Sequence, residues 1–148
     1  MEWKAYRFNE LTINELHDIF RLRVNVFVVE QNCAYPEVDG LDPHCTHLVA
    51  KTGGRIAAYA RLVPGGLKGE LPAIGRVIVV PEARGTGLGR ELVQRSRDFI
   101  INEWEEKEIF LQGQSHLEAF YASLGFESVS AEYLDDGIPH IDMKFSKN

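Results

Sequence analysis

Cysteines, clustered basic residues and long apolar runs are all scarce in this chain. Cys33 and Cys45 are its only cysteines, too few for a disulfide framework, and free thiols in a reducing compartment are the expectation. Cys33 and the run His44-Cys45-Thr46-His47 offer zinc-ligand residue types without zinc-ligand spacing, since no Cys-x-x-Cys pair exists; no metal is expected. No apolar stretch reaches the ~20 residues that span a bilayer. Met1-Glu2-Trp3-Lys4 lacks the pattern of a secretory leader, which by default points to the cytoplasm and to no membrane partner. The formal charge is −6, from 16 basic and 22 acidic residues, with no basic block. That argues against nucleic acid as a partner, because neutralising phosphates needs clustered Lys and Arg. An acidic surface favours cationic molecules such as amines, but it also serves plain solubility.

What is present suits one domain over residues 1–148. An apolar fraction of 45% and a charged fraction of 26% are those of an ordinary globular chain. Repeats and low-complexity tracts are missing. Trp3 to Phe8 reads as a strand. Thr12-x-x-Glu15 reads as a capping box, and Leu16, Ile19, Phe20, Val24 and Phe27 continue at helical spacing to about Val29. A long loop, Glu30 to Cys45, carries Pro36, Gly40, Pro43 and several carboxylates. Strands are predicted over His47 to Lys51 and Arg55 to Val63, joined through Gly53-Gly54, and over Ala73 to Val80. A helix follows from Gly87 to about Trp104, then a strand from Glu108 to Gln112. Ser115-x-x-Glu118 reads as a second capping box opening a short helix that stops at Gly125. Strands from Phe126 to Tyr133 and Pro139 to Phe145 flank an Asp136-Gly137 turn. The order β-α-βββ-α-β-α-ββ predicts a mixed α/β domain, with a mostly antiparallel central sheet flanked by helices.

The densest local pattern is Ile74 to Leu92, where a β-branched strand runs through Pro81-Glu82-Ala83 into Arg84-Gly85-Thr86-Gly87-Leu88-Gly89 and a helix. Glycines at a helix start let the backbone approach a ligand and aim N–H groups at an anion. A nucleotide P-loop needs Lys-Ser or Lys-Thr after its last glycine, but Arg90-Glu91 stands here. The dinucleotide fingerprint spaces its glycines differently and sits at the first βα turn.

Arg84-x-x-Gly87-x-Gly89 after such a strand resembles the pyrophosphate loop of the GCN5-related N-acetyltransferase (GNAT) superfamily. Phe120-Tyr121, followed by Gly125-Phe126, matches that superfamily's second motif at the expected distance. Leu22 to Gln31, Tyr35 to Asp42, His47-Leu48 and Asp136 to His140 are similar to its ElaA-like branch. The resemblance implies acetyl transfer from acetyl-CoA to a primary amine, by direct attack in a ternary complex. It implies that backbone groups from Arg84, Gly85, Thr86, Gly87, Leu88 and Gly89 face the diphosphate. Val77, Ile78 and Val79 would offer main-chain groups to the pantetheine arm and the thioester.

Tyr121 matches the position that protonates the departing thiolate. A phenol and a thiol are close enough in pKa for that transfer. The base is open among Glu30, Glu37, Asp39, Asp42 and His140, with His140 and Glu30 put forward; ordered water is the other route. Glu30 and Asp39 also suit a cationic acceptor. Arg23, at an inward or boundary position, calls for a carboxylate from Glu30, Asp39 or Asp42, or else snorkels. Two rival readings stand beside this one. A non-catalytic acyl-CoA sensor would keep the loop without turnover. An acyl-homoserine-lactone synthase is suggested by Arg23-x-x-Val26-Phe27 before an acidic loop. Nothing in the pattern chooses between a monomer and a homodimer.

Overall fold

Thr12 opens the first helix as its spacing predicts. Its Oγ accepts from Glu15 N at 3.0 Å, and Glu15 Oε1 accepts from Thr12 N at 2.9 Å. A computed structural model describes all residues, Met1–Asn148. Strand β1 (Glu2–Arg7) precedes this helix, α1 (Ile13–Val24). The α-helix stops earlier than the apolar spacing suggests, because Asn25–Glu30 widens into a π-helical turn. Gln31 N donates to Val26 O at 3.2 Å and Cys33 N to Val28 O at 3.0 Å, both five-residue spacings. Val24, Val26, Val28 and Val29 crowd the turn with β-branched side chains, which fit a regular α-helix poorly.

After the long loop come β2 (Thr46–Thr52), β3 (Arg55–Val63) and β4 (Ala73–Val79), then α2 (Leu88–Glu103), β5 (Glu108–Gln114) and α3 (Glu118–Ala122). The chain ends with β6 (Phe126–Ser128), β7 (Tyr133–Asp135) and β8 (Ile138–Ser146). The sheet order is β1-β2-β3-β4-β5-β8-β6, with β7 also on β8. Only β4 and β5 run parallel, as their connection through α2 requires. Both predicted hairpin turns form, with positive φ at Gly53-Gly54 and at Asp136-Gly137.

Two expectations are corrected. Ser115 does not cap α3: residues 115–117 wind as a 3-10 turn, and Ser115 Oγ is buried without a hydrogen-bond partner. Glu118 turns instead to Ser128 Oγ at 2.6 Å. The strand expected from Phe126 to Tyr133 is two pieces. Between them Ser130 Oγ accepts from Asp142 N at 2.9 Å, taking the place of a ladder carbonyl and bowing the segment outward.

Two apolar layers cover the two faces of the sheet. Ala58, Ala60, Leu62 and Ile74 pack with Leu88, Leu92, Val93 and Ile100 of α2 and with Tyr121 and Leu124. The small alanines of β3 let α2 lie close. On the opposite face Tyr6, Val49, Tyr59 and Ile78 receive Ile19 and Val26 from the first helical segment. No helix is long and apolar enough to cross a membrane.

Candidate active site

The strand-to-helix turn after β4 presents a row of free donors. Gly85 and Gly87 hold φ of 78° and 86°, the left-handed region where a side chain is strained. Gly87 is the N-cap of α2 and supplies no capping side chain. The hydrogen bonds of the turn run Ala83 N to Val80 O, Arg84 N to Pro81 O, and Glu91 N to Gly87 O. Six successive N–H groups, from Gly85 to Arg90, are left with no acceptor in the protein. The row is thus shifted by one residue from the expected Arg84–Gly89, since the Arg84 N–H is engaged at 3.3 Å. Thr86 Oγ1 donates to Ala83 O at 2.6 Å and pins the turn. Helix N-terminal N–H groups and the helix dipole together favour an anion here.

Beside this turn the sheet opens. Parallel pairing of β4 with β5 is limited to Ala73 and Phe110. On its other edge β4 bulges: Ala60 of β3 lies opposite both Arg76 and Val77, with Arg76 at φ 50°. Val80 N donates to Ala57 O, so by ladder alternation Ile78 faces β3 and Val79 turns its backbone toward the gap. Val77 lies in the bulge itself. The Val79 carbonyl accepts Arg84 Nε at 2.9 Å, and the same guanidinium reaches Glu30 at 3.0 and 3.2 Å. Glu30 therefore pairs with the glycine loop, not with Arg23.

Tyr121 stands on the helical side of that gap. Its ring lies against Gly113 of β5, where an added Cβ would come within 3.2 Å of it. The short helix is held to α2 by Arg90 on Ser123 Oγ (2.8 Å) and by Arg97 on the Leu124 carbonyl (2.7 Å). Burial pushes the phenol up to about 12. Its hydroxyl makes no hydrogen bond within the protein and is not sealed from accessible space. Gly89 lets Val79 and Phe120 approach α2, 3.5 and 3.9 Å from where a Cβ would stand.

Arg23 does not snorkel. It is fully buried, with Nε on Glu37 Oε2 and Nη1 on Asp42 Oδ1, each at 2.6 Å. Arg61 holds both oxygens of Asp39 at 2.8 Å and touches Asp42 at 3.1 Å. Arg76 reaches Glu37 at 2.7 Å, and the Tyr35 hydroxyl donates to the other Glu37 oxygen. Three guanidiniums thus neutralise three loop carboxylates. Burial alone would raise Asp39, but Arg61, then the Leu41 N–H, hold it well below the usual carboxylate range. His47 joins from below: Nε2 faces the Asp42 carbonyl at 3.0 Å and so carries the proton, leaving Nδ1 to accept from Tyr59 at 2.6 Å. Burial lowers the His47 pKa, against the opposing pull of Asp42.

His140 lies on β8 opposite Gln114, stacked on Tyr133 at 6.3 Å. Its Nδ1 contacts the Ile138 carbonyl at 2.7 Å, which fixes the proton there and leaves Nε2 an open acceptor. The partners Arg61, Arg76, Gln112, Tyr133 and Asp142 were not singled out from sequence. Arg61 and Arg76 carried a signal, each a charged residue inside an apolar strand. The cysteines are unpaired, Cys33 Sγ against Asp136 O and Cys45 Sγ against Leu41 O.

The family model for an acetyltransferase (GNAT) domain matches residues 16–147. The chain belongs to the GNAT superfamily. Within it the ElaA-like branch is the one it shares. A UPF0039 protein of Schizosaccharomyces pombe is 45% identical over 146 residues, 97% of this chain and 96% of that protein. The crystal structure of Escherichia coli ElaA superposes with a TM-score of 0.92 at 37% identity, covering 98% of this chain and 99% of that one. An acyl-CoA N-acyltransferase from Pseudomonas aeruginosa gives 0.93 at 39%, covering 99% and 100%. A CoA-dependent acyl-homoserine lactone synthase shares the fold at 0.80, but at 18% identity the likeness is one of fold alone. As a GNAT-fold chain, the protein has the scaffold of an acyl-CoA-dependent transferase, and the free N–H row suits a CoA diphosphate.

Proposed function

We propose that this protein transfers an acetyl group from acetyl-CoA to a primary amine within a ternary complex. The observation that carries the reading is the row of six unpartnered N–H groups, Gly85 to Arg90, at the start of α2. Arg84, Gly85, Thr86, Gly87, Leu88 and Gly89 form the loop that would hold the diphosphate. Val77, Ile78 and Val79 line the gap along which the pantetheine arm would lie.

Tyr121 acts as the acid for the leaving sulfur and His140, through Nε2, as the base. Two protons leave the nitrogen as the C–N bond forms and the C–S bond breaks. One replaces the proton that Tyr121 hands to sulfur; the other reaches solvent through His140. A phenol at about 12 is a weak acid toward a solvated thiol of about 8.5, but burial raises a thiolate placed beside it in the same way. Glu30, paired with Arg84, is the second base candidate and is freed when Arg84 turns to the diphosphate. Arg23 and Asp39 shape the acceptor side by holding the loop that walls it.

Calorimetric titration with CoA, and thiol release from acetyl-CoA over an amine panel, test the proposal. Gly87→Glu sets a carboxylate against the diphosphate and is expected to weaken CoA binding at least tenfold. Tyr121→Phe is expected to lower kcat about 100-fold with CoA affinity kept. Unchanged CoA affinity in Gly87→Glu overturns the loop assignment. Tight binding without thiol release across the panel favours an acyl-CoA sensor.

A further inference from the structure

The long loop looks acidic in sequence, yet Glu30, Glu37, Asp39 and Asp42 all face guanidiniums. The loop is no anionic wall. Two charges without an ion-pair partner face each other on the β5–β8 side of the sheet. Lys68, in the connection between β3 and β4, has no carboxylate partner; its Nζ donates to Gln112 Oε1 at 3.1 Å. Gln112 Nε2 donates to the Tyr133 hydroxyl at 3.0 Å, and Tyr133 donates to Asp142 Oδ1. Asp142 has no cationic partner either: the hydrogen bond its carboxylate accepts is from Tyr133. A neutral relay thus carries a lone cation at one end and a lone carboxylate at the other. Three hydrogen bonds and one amide group keep those two charges within about 11 Å of each other.

We propose that the acceptor is an amine that itself carries a carboxylate, an amino acid in its simplest form, with Lys68 receiving the acid group and Asp142 the ammonium. The assignment rests on the acetyltransfer reading for what happens to the amine, but not for its binding. Two salt-bridge contacts of about 2.8 Å with a small zwitterion between them fit within that limit. His140 stacks on the same Tyr133 and stands two residues before Asp142 on β8, so the two side chains share one face of the strand at the ammonium end. Gln112 and Gln114 flank Gly113, whose opposite face carries Tyr121. The amine end of the relay and the thiolate acid therefore meet at one level of β5, from the two sides of the sheet. Although Lys68 as a residue is exposed, partial desolvation of its ammonium, followed by the charges of Arg76 and Arg61, lowers its pKa, with Asp39 and Asp135 opposing. An arriving carboxylate would relieve that repulsion.

The test is calorimetric binding of a panel of amino acids, each matched with its decarboxylated amine, to the protein with and without CoA. Thiol release from acetyl-CoA is read in parallel. At least one amino acid is expected to bind 10-fold or more tightly than its matched amine. Lys68→Met should erase that preference, and Asp142→Asn should weaken both members of the pair. Melting curves report that each variant is folded. Amines binding as well as their amino acids, no binding by any amino acid, or a preference that survives Lys68→Met each overturns the assignment. Selective amino-acid binding without thiol release supports the subsite and counts against acetyltransfer.

Discussion

The ring of Tyr121 rests on Gly113 so closely that a single added carbon on the glycine would stand 3.2 Å from two ring atoms. The ring has little room to yield, since Phe120 and Phe126 pack edge-on against the same tyrosine. Gly113→Ala is expected to tilt the phenol and lower kcat about tenfold, with KM and CoA affinity near their starting values. Overpacking should also reduce stability by roughly 1–3 kcal/mol. Steady-state kinetics beside a melting curve separate the two effects. A stability loss with kcat intact would show that the glycine serves packing and not the placement of Tyr121.

Tyr121 also sets an expectation for pH. Its pKa is raised by burial to about 12, so the neutral phenol persists well above neutrality. Activity should show an acidic limb, from the base that must be unprotonated, and no basic limb assignable to Tyr121 below about pH 11. A kcat profile from pH 6 to 10 checks this. A fall near pH 9 that disappears in Tyr121→Phe would contradict the buried phenol.

Removing Arg23 strips Glu37 and Asp42 of a shared, fully buried partner. Unpaired buried charge is costly, and Arg23→Met is expected to destabilise the fold by about 3–5 kcal/mol. Arg23→Lys should rescue little, because one ammonium cannot replace a forked donor that also reaches the Glu37 carbonyl at 3.0 Å. Urea unfolding of the three proteins measures it; a loss below 1 kcal/mol in Arg23→Met would refute the pinning role.

Glu15 links acid stability to the first helix. The Thr12 N–H, against the opposing effect of burial and with help from Lys51 and Tyr6, lowers its carboxyl from 4.5 to about 2. A depressed pKa stabilises the fold above pH 4.5, and that contribution fades as pH falls toward 2. Glu15→Gln is expected to cost about 1 kcal/mol at pH 7, the usual size for a capping contact, and to flatten the stability curve between pH 4.5 and 2. Denaturant melts at pH 7, 4 and 2.5 decide it, and parallel curves for the two proteins would remove Glu15 from the account.

Much of the fold is legible in the residues because it rests on local physics. The Thr12–Glu15 box, the two glycine-bearing hairpin turns and the alternation of Ile141, Met143 and Phe145 are short-range effects, and each stands where its spacing puts it. Local rules failed where another contact or the preceding element competed. Ser115 has the right spacing for a cap, but the end of β5 commits the backbone to a tighter turn. Ser130 breaks a strand by bonding Asp142.

The candidate site divides the same way. The row of N–H donors is readable to within one residue, expected over Arg84–Gly89 and found over Gly85–Arg90, because glycine conformation and a helix start are properties of a few adjacent residues. Partner choice among charges is not. Sequence alone called for a carboxylate near Arg23, but only the packed sheet sends Glu30 to Arg84, Asp39 to Arg61 and Glu37 to two arginines at once. Lys68, Gln112, Tyr133 and Asp142 are 44, 21 and 9 positions apart at successive contacts, and no periodicity joins them. Pairing energy depends on distance and burial in the folded chain, so which charges are quenched, and which remain free to meet a substrate, is settled by tertiary structure.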